Sequence, residues 1–205
     1  MSRTSKRFFL LLMSITAAWG ADKTQGGKFD PGPLSSFTAR QTISNFTIGA
    51  KVFVTDEQAR RAFGKLNPYR FGVLPILVIM QNDRQGSVSL EHLRVEYITA
   101  DRERIEATPA QEVKYITGPE KPKLITGPIP RGPGVSRKKN PLAAWEIEGR
   151  SFAAKMLPPS QAASGFFYFQ ATHNPRASLY VRGIRDASSG SELFYFEIPL
   201  DKASD

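Results

Sequence analysis

A chain of 205 residues with no cysteine and two histidines excludes a disulfide framework, thiolate zinc and iron–sulfur centres, thiol catalysis and lipid attachment through a cysteine. At 40% hydrophobic and 11% aromatic the composition is that of a folded chain, and the length predicts one domain. The 28 Lys and Arg against 19 Asp and Glu give a formal net charge of +9, whose placement matters more than its size.

The first twenty residues read as an export leader. Arg3, Lys6 and Arg7 form a positive start, residues 8–18 an apolar run too short to span a bilayer, and Ala18-Trp19-Gly20 a small-residue cleavage site before Ala21. This predicts an exported protein, periplasmic or secreted, with no stable membrane insertion after cleavage. Setting aside those three cations leaves 25 basic residues against 19 acidic ones. Seven of the 25 (Lys114, Lys121, Lys123, Arg131, Arg137, Lys138 and Lys139) lie between positions 114 and 139 with Glu120 as the one acid. The excess of positive charge is therefore local, unlike the stripe across a folded face that nucleic-acid proteins present. Nucleic acid is not an expected partner.

Residues 21–36 read as a flexible tether of Gly, Pro, Lys, Asp and Ser, with one β-sandwich domain over 37–205 interrupted by a loop insertion at 109–141. Asn45-Phe46-Thr47 matches the glycosylation acceptor pattern. Phe46, Ile48, Ala50, Val52 and Val54 alternate as one face of a strand. Thr55-Asp56-Glu57-Gln58 is a capping box opening a short helix that Gly64 stops near Phe63. Residues 73–80 are almost unbroken apolar sequence containing Pro75, the mark of a strand covered on both faces. Residues 88–99 continue in strand fashion, with Leu93, Val95 and Tyr97 on one face and Arg94 and Glu96 on the other. Asp101-Arg102 turns the chain into a short strand over 104–108.

Seven prolines between 109 and 141 break any helix or central strand, and Ile-Thr-Gly-Pro occurs there twice, at 116–119 and 125–128. Strand signals return over 151–157, 163–170, 179–185 and 192–200, the last pair joined by Ser188-Ser189-Gly190-Ser191 as a hairpin. The fold class is all-β, an immunoglobulin-like antiparallel β-sandwich with one short helix and a long Pro-rich basic loop.

Val78-Ile79-Met80-Gln81-Asn82-Asp83, followed by Leu90 and Leu93-Arg94-Val95-Glu96-Tyr97, resembles the strand pair of small exported bacterial sandwich modules of the telokin-like and FxLYD kinds. The stretch from Leu157-Pro158-Pro159 to Phe166-Phe167-Tyr168-Phe169 resembles their later turn into a strand. The resemblance implies a fold and an exported compartment and carries no catalytic residue. The basic loop departs from the family pattern.

Signals for chemistry are sparse. His92 and His173 belong to no nucleophile elbow or metal pair and read as turn or surface residues. Asp186, Glu192 and Glu197 lack metal-loop spacing, so neither a metal nor a cofactor is expected. Glu146 and Glu148, on a strand beside Trp145, would share one face and form the single pair worth testing for glycoside hydrolysis. The aromatic residues at 166–169 and 194–196 must point alternately into the core and away from it, with the second set covered by the chain itself or left as an interaction surface.

The leading expectation is a noncatalytic exported module of the cell envelope that binds an acidic envelope component or protein partner. Lys121, Lys123, Arg131, Arg137, Lys138, Lys139 and Trp145 are its candidate binding residues. The alternatives are a carbohydrate-binding module or weak glycoside hydrolase, and an assembly factor that lends a β-edge to another chain.

Overall fold

The computed structural model describes residues 29–116 and 140–201; the leader and most of the Pro-rich insertion lie outside them. The described chain forms strands β1 (Ala39–Ile43), β2 (Phe46–Val52), β3 (Leu74–Asn82), β4 (Val88–Ser89), β5 (Arg94–Ile98), β6 (Arg104–Glu106), β7 (Met156–Leu157), β8 (Gln161–Phe169), β9 (Ser178–Asp186) and β10 (Glu192–Pro199), with helices α1 (Asp56–Phe63) and α2 (Trp145–Gly149). One sheet has the order β1-β2-β3-β8. In the other, β9 pairs with β5 and β4 along one side and with β10 along the other, while β6 and β7 extend the path beyond β5 and β4. Every strand pairing is antiparallel. This is the expected immunoglobulin-like antiparallel sandwich, with a second short helix added.

The core between the sheets takes alternate residues of each strand: Phe46, Ile48, Ala50 and Val52 from β2, Leu74, Ile76, Val78 and Met80 from β3, Val95 and Tyr97 from β5, Leu179 and Val181 from β9. The first sheet is also apolar on its other face. Leu77, Ile79, Phe166 and Tyr168 point there and are covered by a third layer made of Ala59, Ala62 and Phe63 of α1 together with Val113, Leu142 and Ile147. Phe166 is the hub, its ring 4.8 Å from Phe63, 5.0 Å from Phe53 and 5.4 Å from Phe29. The aromatic run of β8 is therefore divided as strand geometry requires, and its outward set is covered by the protein itself. Phe29 and Leu34, both within the stretch 21–36 expected as a tether, pack into this layer.

Local chemistry explains most element boundaries. Thr55 and Gln58 form the reciprocal capping box of α1, which ends at Gly64 with φ 65°. Pro75 sits inside β3 without breaking the sheet, because its carbonyl accepts the Phe53 N–H at 3.0 Å and its missing amide faces the same side, just past the end of β2. β1 was not marked by any alternation; it forms because Ser44 and Asn45, at φ 48° and 60°, make the two-residue turn that joins twisted strands. Asn45 is thus an exposed turn residue. Asn82 is fully buried at the end of β3, where its amide donates to the carbonyls of Gly86 and Leu157, both at 2.9 Å.

Two expected strands are shorter than the pattern suggests. Residues 88–99 are split into β4 and β5 by a turn at 90–93 that passes over Gly183 of β9. A Cβ on Gly183, at φ +81°, would lie 2.0 Å from the His92 carbonyl oxygen. The same irregularity rephases β9, so that Ile184 rejoins the core after Val181. Residues 151–157 yield only β7, because 150–152 instead bridge to Phe166 of β8. At the closing hairpin, Asp186 Oδ1 accepts the Ser188 hydroxyl and the N–H groups of Ser188 and Ser189, which holds its carboxyl down at about 2.

Gly183→Ala should therefore destabilise the fold by about 2 kcal/mol or more. Gly190→Ala, at φ +71° with open space around it, should cost only about 1 kcal/mol. Urea unfolding of the two variants checks the contrast, and equal losses would show that the His92 crossing is not the constraint.

Candidate functional site

The two ends of the Pro-rich insertion meet on the third layer. Val113–Tyr115 and Pro141–Ala143 each form one 3-10 turn, and Val113 and Leu142 are buried side by side over the first sheet. The Asn140 side chain caps the second turn by accepting the Leu142 N–H at 3.0 Å, while its amide donates to the Lys114 carbonyl. The chain therefore leaves the described fold at Ile116 and returns at Asn140 at one place. Six of the seven expected binding residues, Lys121, Lys123, Arg131, Arg137, Lys138 and Lys139, lie outside the described residues.

The seventh, Trp145, stands beside that neck. It begins α2 and is 62% exposed. The expectation of a strand over Trp145, Glu146 and Glu148 is corrected. A single helical turn buries Ile147 alone, whose carbonyl accepts the Tyr168 hydroxyl at 2.7 Å. Burial pushes the Tyr168 phenol up, consistent with its role as a permanent donor. Residues two apart on a helix do not face each other, so Glu146 and Glu148 do not form the facing pair that a strand would have presented. Glu148 instead lies 3.9 Å from the Lys114 ammonium. Arg150 packs its guanidinium between the Phe29 and Trp145 rings, at 5.4 and 5.9 Å. Desolvation lowers its pKa, with Glu146 opposing. A cavity of about 300 Å³ opens here, lined by Phe29, Leu77, Trp145, Arg150, Ser164 and Gly165 among others. Tyr115, 76% exposed, completes the aromatic rim of the neck.

A second surface is the outer face of the β5–β6–β9–β10 sheet. Glu96, only 4% exposed, is held by Arg104 at 3.0 Å and Arg182 at 3.3 Å. Arg104 lies 4.9 Å over the Tyr180 ring, and Tyr180 is 5.6 Å from Tyr195, which is 61% exposed. Arg94 and Glu106 are 3.8 Å apart. Sequence reasoning missed this network, although Glu96 and Arg94 were assigned to the correct face. Its signal was the cross-strand register of β5, β6 and β9, which no local pattern encodes.

A cleft of about 400 Å³ lies where β5 and residues 106–111 approach β8, lined by Glu96, Thr108, Phe152 and Phe167 among others. Its carboxylates Glu96 and Glu106 are those already engaged by arginines. Among the described residues no group of three or more His, Asp or Glu side chains is placed to hold a metal ion. His92 lies in the turn over Gly183. His173 is half-buried, with Nδ1 3.3 Å from the Tyr97 hydroxyl, which itself accepts the Asn174 N–H at 2.8 Å. The His173 N–H donates to the Tyr69 hydroxyl at 3.2 Å. These bonds pin the loop before β9 to the end of the sandwich, a positioning role.

Two antiparallel sheets with a helical cover on one of them define the chain as a three-layered β-sandwich. No family model matches it, and no curated protein does. Among solved structures it is similar to the secreted protein MPT63 of Mycobacterium tuberculosis, at 15% identity and a TM-score of 0.32, covering 81% of this chain and 95% of that one. Among the described residues no helix is long and apolar enough to cross a membrane.

Desolvation lowers the His173 pKa below its usual 6.5, opposed by Asp201. Above pH 6.5 both folded and unfolded imidazoles are neutral. As the pH falls below that value the unfolded chain takes the proton first, so stability is lost until the folded pKa is passed. His173→Asn should flatten the stability curve just below about pH 6.5, measured by thermal melts from neutral to mildly acidic pH. An unchanged slope would place the titration elsewhere.

Proposed function

We propose that this protein is an exported, noncatalytic binding module of the cell envelope that engages an anionic partner through the basic segment between positions 114 and 139. The observation that carries the reading is the pinched neck. The ends of the most cationic stretch of the sequence are brought together on the helical layer, and exposed Tyr115 and Trp145 flank it. On the opposite sheet the arginines at positions 94, 104 and 182 are matched by Glu106 and Glu96. Clustered Lys and Arg accelerate encounter with a negative partner in a salt-dependent way. The resemblance to telokin-like and FxLYD modules and the tripartite leader support the exported compartment.

A second reading rests on Tyr195, whose exposed ring, 5.6 Å from the half-buried Tyr180 on the outer sheet face, suits stacking on a sugar. A glycan array on wild type and Tyr195→Ala separates it, since the basic-segment reading requires no Tyr195-dependent retention.

Because the neck is closed by Asn140 and Lys114, replacing residues 117–139 with a six-residue Gly-Ser linker should leave the melting temperature within a few degrees. The same replacement should abolish retention on immobilised polyglutamate at low salt. The charge reversal Arg137→Glu, Lys138→Glu, Lys139→Glu should weaken that retention by about tenfold or more and flatten its salt dependence. Retention unchanged in both variants would sink the proposal.

A further inference from the structure

The free side of β8 is covered unevenly. Its register with β3 turns the main-chain groups of odd-numbered residues toward β3 and those of even-numbered residues outward. Phe166 uses its outward N–H and carbonyl to bond Arg150 and Phe152, at 2.8 and 3.1 Å, and the Tyr168 carbonyl accepts the Thr108 N–H at 2.7 Å. Ala162 and Ser164 point the same way and are exposed, and among the described residues nothing bonds their outward main-chain groups. The even-numbered side chains share the face of Phe166 and Tyr168, where the cavity of about 300 Å³ adjoins Ser164 and Gly165. Alternate side chains of a strand added at this edge would therefore point toward that cavity.

We propose that the edge of β8 at Ala162 and Ser164 is a strand-addition site for an extended acidic segment of a partner protein, whose main chain bonds these two residues and whose apolar side chain enters the cavity beside Trp145 and Arg150. An extended polypeptide is the ligand that supplies alternating donors and acceptors at the spacing of a sheet edge. Residues 161–165 carry neither the proline nor the lysine by which exposed edges are commonly blunted.

Charge selects among the possible strands. Arg150 lines the cavity, and α2, which bears Trp145, reaches Lys114 at the neck through Glu148. The net positive segment that leaves the fold at that neck attracts an acidic strand. A second copy of this chain would bring its own Arg150 and Lys114 to this side of the fold, so like charge opposes self-pairing. The proposal shares with the function above only the anionic character of the partner, and names its class and its seat.

The probe is a fluorescein-labelled ten-residue peptide of alternating Val and Glu, titrated into the mature chain at low salt and followed by anisotropy and by amide exchange. Saturable binding with new protection of the Ala162 and Ser164 amides is expected. Ser164→Pro removes an outward N–H and no bond to β3, so it should keep the wild-type melting temperature and weaken the peptide by about tenfold or more. A peptide N-methylated at alternate residues tests the same bonds from the ligand side, without touching the fold, and should also fail. Equal binding by the methylated peptide, or by Ser164→Pro, sinks the edge whatever the basic segment does. Equal binding by a Val and Lys peptide sinks the acidic partner, and a concentration-dependent dimer protecting the same amides would make the occupant a second copy and overturn the proposal. Persistence of saturable peptide binding in the Arg137, Lys138, Lys139 reversal, even if weakened, supports the edge independently of the basic segment.

Discussion

The structure depends on one constraint: β3 is apolar on both faces, and so is the second half of β8, from Gly165 to Phe169. A sandwich buries only one face of each sheet. Leu77, Ile79, Phe166 and Tyr168 would otherwise form a broad exposed apolar patch, so a further layer has to cover them. α1 supplies part of that layer from Ala59, Ala62 and Phe63. The rest comes from Val113, Leu142 and Ile147, which flank the Pro-rich insertion. The hydrophobic cover of the first sheet thus fixes where the basic segment leaves the molecule.

That arrangement separates roles between the two outer sides. On the helical side, buried apolar anchors hold a neck rimmed by Tyr115, Trp145 and Arg150, and the first half of β8 keeps outward main-chain groups that nothing bonds among the described residues. On the other, the β5–β6–β9–β10 face carries alternating acids, arginines and tyrosines that pair with one another. β1 and β10 close one seam of the sandwich, where Gln41 accepts the Glu197 N–H at 3.0 Å. The opposite seam, between β8 and β5–β6, is bridged among the described residues by Thr108 and residues 150–152 and contains the cleft lined by Glu96 and Phe167. The sandwich is therefore closed by side-chain bonding at one side and by short crossings at the other.

Much of this was legible before the tertiary structure. The capping box from Thr55 to Gln58 is a local interaction within one turn, so four residues suffice to read it. The double-faced burial of 73–80 follows from the lack of any polar face in that run. The hairpin at 188–191 and the division of the aromatic residues at 166–169 follow from turn chemistry and strand alternation. The strand geometry on which Glu146 and Glu148 would share a face is not formed, because one helical turn brings the carbonyl of Ile147 to the hydroxyl of Tyr168, twenty-one residues later.

By itself the amino-acid sequence determined the sheet-rich class, the positions of most strands, the concentration of positive charge between 114 and 139 and the leader pattern at the start, because each depends on residues near one another in the chain. Only the tertiary structure decided that the ends of the cationic segment touch, that Glu96 is shared by Arg104 and Arg182, and that the outward main-chain groups of Ala162 and Ser164 are unbonded among the described residues. These depend on register between strands far apart in sequence, where a shift of one residue reverses every side chain. That register is set by the packing of two apolar layers together, which no local stretch of the chain contains.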